Sequence, residues 1–187
     1  MSSHHPSSDQ PTKRSAKIAE RQHVEPLSEH LVEGTREEVA LFTPARGSKE
    51  MRRLGKNQPD LLSFMMEFSV DLDQQAKELA LYAFFVVYRM FEKGYGKKIK
   101  RVTAEEIMEC HEANEKLIEG LEVAHDRFFE RIARIQVSSQ PFVIKYVVDA
   151  IFEAPEDEDP ISLTDEDAGF LFLLLKTVID ALNKKTD

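Results

Sequence analysis

Between Leu79 and Phe91 every residue except Arg89 is apolar or aromatic. A helix over such a segment has no polar face across its central turns, so it must be enclosed by other helices or by lipid. Its uncharged stretch, Leu79 to Tyr88, is ten residues long, half of the about 20 needed to cross a bilayer. Enclosure by protein is therefore expected, with no membrane span. The helix is read over residues 73 to 93, capped by Asp71 or Asp73 and stopped at Gly94-Tyr95-Gly96.

The apolar residues that could enclose it lie mostly after residue 58, and charge divides at the same place. Residues 1 to 57 carry ten Lys/Arg and eight Asp/Glu, net +2, whereas residues 58 to 187 carry fifteen and twenty-six, net -11. The chain thus reads as a flexible tail over 1 to 57, containing short amphipathic segments, and a helical domain over 58 to 187. In the tail, Thr35-Arg36-Glu37-Glu38 has the Thr-x-x-Glu form of a capping box ahead of Val39 to Phe42, and Thr43 to Asp60 reads as loop. The first residues, MSSHHPSSDQPTKRS, lack the apolar region of a secretory signal. One cysteine, Cys110, permits neither an intrachain disulfide nor a thiolate cluster, and a cytoplasmic location is expected.

Five helices are predicted in the domain. Pro59 to about Val70 has proline in its first turn and Leu61, Leu62, Phe64, Met65, Met66 and Phe68 to bury. The central helix follows. Thr103-Ala104-Glu105-Glu106 then caps a long helix to about Gln136, whose stripe of Ile107, Cys110, Asn114, Leu117, Leu121, Ala124, Phe128, Arg131 and Ile135 is heptad-like. Such a seam is long enough to pair with a second copy of the chain. Ser138-Ser139-Gln140-Pro141 opens a fourth helix to about Phe152, where β-branched residues leave a strand reading open. Thr164 caps a last, strongly apolar helix over 165 to 183, expected beside the central one. The fold class is all-α, a five-helix bundle around a central apolar helix.

Motifs for chemistry are few. Glu122-x-x-His125 places a carboxylate and an imidazole on one helix face, as in di-iron bundles, but those need two such motifs and two further carboxylates. A solvated pair is the preferred reading, so no metal or cofactor is assigned; an enzyme or ligand-binding bundle with metal at Glu122 and His125 is the alternative. Lys97, Lys98, Lys100 and Arg101, behind Gly94 and Gly96, could hold an anion or a nucleic-acid backbone. Against nucleic acid stands the net charge of -11, which favours a solvated connection, placed opposite the acidic stretch from Glu153 to Asp167. No register of that stretch provides both the sixth-position Gly and the twelfth-position Glu of an EF-hand, Lys56-Asn57 breaks a phosphate-loop pattern, and no Gly-x-Ser-x-Gly is present. Cys110 falls on the apolar stripe and reads as a small buried hydrophobe. The expectation is a non-enzymatic helical interaction module, an adaptor or regulatory subunit, with a protein partner or a second copy.

Overall fold

The computed structural model describes residues 24–119, 139–152 and 163–186. Within them are seven helices and no strand: α1 (Glu29–Ala40), α2 (Pro44–Asn57), α3 (Pro59–Phe68), α4 (Gln74–Tyr95), α5 (Ala104–Glu119), α6 (Pro141–Phe152) and α7 (Asp165–Asn183), with a 3-10 turn at Gly96–Lys98 after α4. None of these helices is long and apolar enough to cross a membrane. The strand alternative for residues 141–152 is settled as helix.

α4 is the enclosed element that its sequence demands. Ala83 to Tyr88, Met90 and Phe91 are all buried, and Asp73 accepts a hydrogen bond from the Ala76 amide at 2.8 Å as the N-cap. α1, α2, α3, α6 and α7 pack around it. Its main apolar neighbour, α7, buries Leu171 to Leu175, Val178, Ile179, Ala181 and Leu182. Fully burying residues of this size stabilises the fold by about 1.5 to 3 kcal/mol each. α4 and α7 end together, because the Gln140 amide donates to Tyr95 Oη at 2.6 Å and to Asn183 Oδ1 at 2.8 Å. The two helices therefore run parallel, and they lie side by side as expected.

The count of five helices is corrected to seven, because residues 29–57 contribute two. α1 starts at a Ser28 cap and buries Val32, Thr35 and Val39. The capping box expected at Thr35 does not form. Thr35 lies inside the helix and donates to the Leu31 carbonyl at 2.7 Å, and Glu38 turns to cations of α2 and α4. α2, expected as loop, begins with Thr43 as cap and Pro44 in its first turn, and buries Leu54 completely. Residues 29–57 thus form two helices packed on the bundle, while residues 1–23 lie outside the described residues. Ahead of α1 the chain is tied down as well: Leu27 is buried, and its Cδ2 would sit 2.0 Å from a Cβ added at Gly94. Only a glycine lets Leu27 approach α4 so closely.

α5 opens with the expected reciprocal box. Thr103 N donates to Glu106 Oε2 at 3.0 Å, and Glu106 N donates to Thr103 Oγ1 at 3.4 Å. Its buried positions are Ile107, Cys110, His111, Asn114 and Ile118, whereas Leu117 is exposed. The heptad reading placed Leu117 on the seam; a straight helix of 3.6 residues per turn drifts off a 3.5 repeat and brings Ile118 in instead. This stripe packs on α7, with α3 also against α5. Over 107–118 the seam offered for a second copy is therefore covered from within the chain. Residues 120–136 of the predicted long helix lie outside the described residues.

Candidate functional site

Charged side chains collect in two places, and they differ in how their charges are met. The first lies between α1, α2 and α4. Arg89, the one charge in the apolar run, keeps 13% of its side-chain surface and pairs with Glu92, with Glu50 at 3.7 Å and with Glu38 at 3.9 Å. Arg53 contacts Glu92 at 2.6 Å and Glu50 at 2.7 Å, the latter without hydrogen-bond alignment, since Glu50 Oε2 has no hydrogen-bond partner among the described residues. Glu38 also receives Lys93 and, at 2.8 Å, Arg46. The hydrogen bond from Lys93 and the positive field of Lys93, Arg46 and Arg89 hold the Glu38 carboxyl below its ordinary range, against the opposing effect of burial. Every cation in this group has an acidic partner. The network fastens α1 and α2 to α4, and its exposed cations, Arg46, Arg53 and Lys93, each face an acid of the same group.

The second collection lies where α4 and α7 end. Gly96 takes φ +57° and ψ -124°, a conformation rarely open to other residues, and turns the chain out of α4. The following residues are held by their backbone: Lys100 N donates to the Lys185 carbonyl at 2.9 Å, Gln58 Nε2 donates to the Lys100 carbonyl at 3.0 Å, and Val102 N donates to Gln58 Oε1 at 2.9 Å. The basic turn is thereby seated between the end of α2 and the end of α7. Arg101 pairs with Asp60 at 3.5 Å and Lys185 with Glu106 at 2.6 Å. Lys97, Lys98 and Lys100 are exposed and have no ion-pair partner among the described residues.

Two buried glutamines position this end. Gln58 bridges the α2–α3 junction to the turn. Gln140 accepts from the Leu27 amide at 2.9 Å and donates to Tyr95 and Asn183. Tyr95 Oη in turn donates to the Glu25 carbonyl at 2.6 Å. Both glutamines immediately precede the proline that starts a helix, Pro59 or Pro141, and their side chains serve neighbouring segments. The paired Gln-Pro steps were the only sequence sign of them, and it does not name the partners.

Of the residues singled out in the sequence, Glu122 and His125 lie outside the described residues. Among the described residues, no group of three or more His, Cys, Asp or Glu could hold a metal ion. Asp165 to Asp167 begin α7 at the end opposite the basic turn, about 28 Å away for 19 residues of helix. They do not face it; Glu153 to Asp159 lie outside the described residues. Cys110 is buried, and burial pushes its thiol up, partly offset by a hydrogen bond with Lys184. That is poor chemistry for a nucleophile.

His111 is the buried titratable group of the α3–α5 contact. Its ring meets the rings of Phe64 and Phe68 edge-on, at 5.5 and 4.9 Å, and its Nδ1 has no hydrogen-bond partner among the described residues. Burial lowers its pKa from the ordinary 6.5, opposed by Glu115 and Glu112. A depressed folded pKa means that the unfolded chain takes up the proton first as pH falls, so stability present above about pH 6.5 declines below it. Urea unfolding from about pH 7 to about pH 5 should show this decline in the wild type and a flatter profile in His111→Gln. Parallel profiles for the two proteins would refute the assignment.

No protein-family model matches the chain, and no match was found among curated proteins or solved structures.

Proposed function

We propose that the protein is a non-enzymatic helical interaction module, an adaptor or regulatory subunit that binds another protein through the end where α4 and α7 finish. The observation that carries this reading is the contrast between its two charge collections. The cations between α1, α2 and α4 are matched to acids inside the fold, whereas Lys97, Lys98 and Lys100 project from a turn held in place by one backbone–backbone hydrogen bond, from Lys100 to Lys185, and two between its backbone and the Gln58 side chain. A chain of net charge -9 that keeps exposed, unpaired cations on a braced turn has a surface suited to recognition. A second copy is not favoured as the partner through α5, because the stripe from Ile107 to Ile118 is buried against this chain's own helices.

The reading is tested by affinity purification of the tagged full chain, followed by reconstitution of each candidate complex from purified components. Stoichiometric binding of a purified protein is expected. Retention of a small molecule or metal in stoichiometric amount, with no protein that reconstitutes, would replace this reading with that of a ligand-binding bundle.

A further inference from the structure

Sequence distance hides how many cations converge on this end. The bond from Gln58 to the Lys100 carbonyl brings the last turn of α2 alongside the basic turn, and the bond from Lys100 to the Lys185 carbonyl brings the end of α7 to its other side. Arg52 and Lys56 lie one turn apart on α2, so they share a face. Together with Lys97, Lys98, Lys100 and Lys184 they make six exposed cations from three separate segments, none with an ion-pair partner among the described residues, Lys184 reaching also to the Cys110 thiol. The helix dipoles of α2, α4 and α7 favour cations at these carboxyl ends. Dipoles alone do not require six of them at one end of the fold, when Arg101 and Lys185 in the same region have acquired acidic partners.

Resting on the interaction-module reading, we infer that this surface, Arg52, Lys56, Lys97, Lys98, Lys100 and Lys184, docks a short acidic segment of a partner protein, a run of Asp and Glu side chains. Three observations select this ligand over other anions. The positive charge is local on a chain of net -9, so a long polyanion extending beyond the patch meets repulsion and a short segment does not. A single strand of nucleic acid stacks its bases on aromatic rings; the one aromatic residue at the turn, Tyr95, has its ring against Phe91 and its hydroxyl bound to Glu25 and Gln140. A bilayer surface is gripped by apolar side chains as well as by lysines, and among the described residues no exposed large apolar side chain lies in the turn, the last turn of α2 or the end of α7. Five of the six cations are lysines, which suit separate carboxylates as mobile point charges.

The test uses the full chain and fluorescence anisotropy of a short fluorescein-labelled peptide of alternating Asp and Glu. The comparison proteins are Lys97→Glu/Lys98→Glu/Lys100→Glu and Lys116→Glu, an exposed cation of α5. Circular dichroism confirms that each is folded. Wild type and Lys116→Glu should bind with similar affinity, the triple variant at least about tenfold more weakly, and binding should weaken on going from about 50 to about 250 mM salt. Equal binding by wild type and the triple variant overturns the inference. So does tighter binding of an oligouridylate of the same length, or of vesicles containing phosphatidylserine, lost in the same variant. A reconstituted protein partner that still binds the triple variant would remove this inference and leave the interaction module standing.

Discussion

Arg89→Ala should lower the stability of the folded chain by about 3 kcal/mol, near the low end of what breaking a largely buried ion pair costs. The guanidinium contacts Glu92, Glu50 and Glu38, and Glu50 and Glu92 keep only 19% and 20% of their side-chain surface. Removing the cation leaves their charges poorly hydrated. Arg53 still touches both acids, which keeps the loss from being larger. A second substitution, Glu50→Ala, should recover part of the stability of Arg89→Ala, because it removes one stranded charge; in the wild-type background the same change should destabilise. Urea unfolding of the four proteins gives the coupling directly. Independent effects of the two substitutions would mean that the network does not hold α1 and α2 to α4.

Gln140→Ala should cost a similar amount, about 3 kcal/mol. The side chain is completely buried and its hydrogen bonds include those to the Leu27 amide, Tyr95 Oη and Asn183 Oδ1. Each buried group left without a partner costs about 1 to 3 kcal/mol, with water recovering part of the total. The loss should also be local in character. Leu27 and Glu25 would be released first, so limited proteolysis ahead of α1 should accelerate in this variant before global unfolding does. Unchanged cleavage together with lowered global stability would show that Gln140 acts on the core alone.

Where the sequence reading succeeded, the signal was local. α4 follows from an apolar run with no polar face, α5 from the Thr103–Glu106 box, and α7 from Thr164 and an apolar stretch. α2 has a start signal in Thr43 and Pro44 but no apolar period to extend it. Its single fully buried side chain is Leu54, and it is fixed by Arg46, Glu50 and Arg53 meeting residues of α1 and α4. Ion pairs between distant segments leave no period in a sequence. In α1, Thr35 and Glu38 have the spacing of a cap but stand mid-helix, and the cap is Ser28. The basic turn was legible as composition. That Lys56 and Lys184 stand beside it depends on Gln58 and on the backbone of Lys185, which are tertiary contacts. The heptad pattern of α5 points to Leu117 where Ile118 is the buried residue, a difference of one position that follows from the helix drifting off a 3.5 repeat.

Native-state hydrogen exchange tests most directly whether α1 and α2 belong to the same folded unit as α4 and α7, with the charges between them internal and those at the basic turn left outward. Amides from Val32 to Val39 and from Gly47 to Leu54 should be protected to within about 1 to 2 kcal/mol of those in α4, and Arg89→Ala should lower their protection more than that of α7. Exchange at the rate of an unstructured chain over residues 29–57, in the wild type, would contradict it.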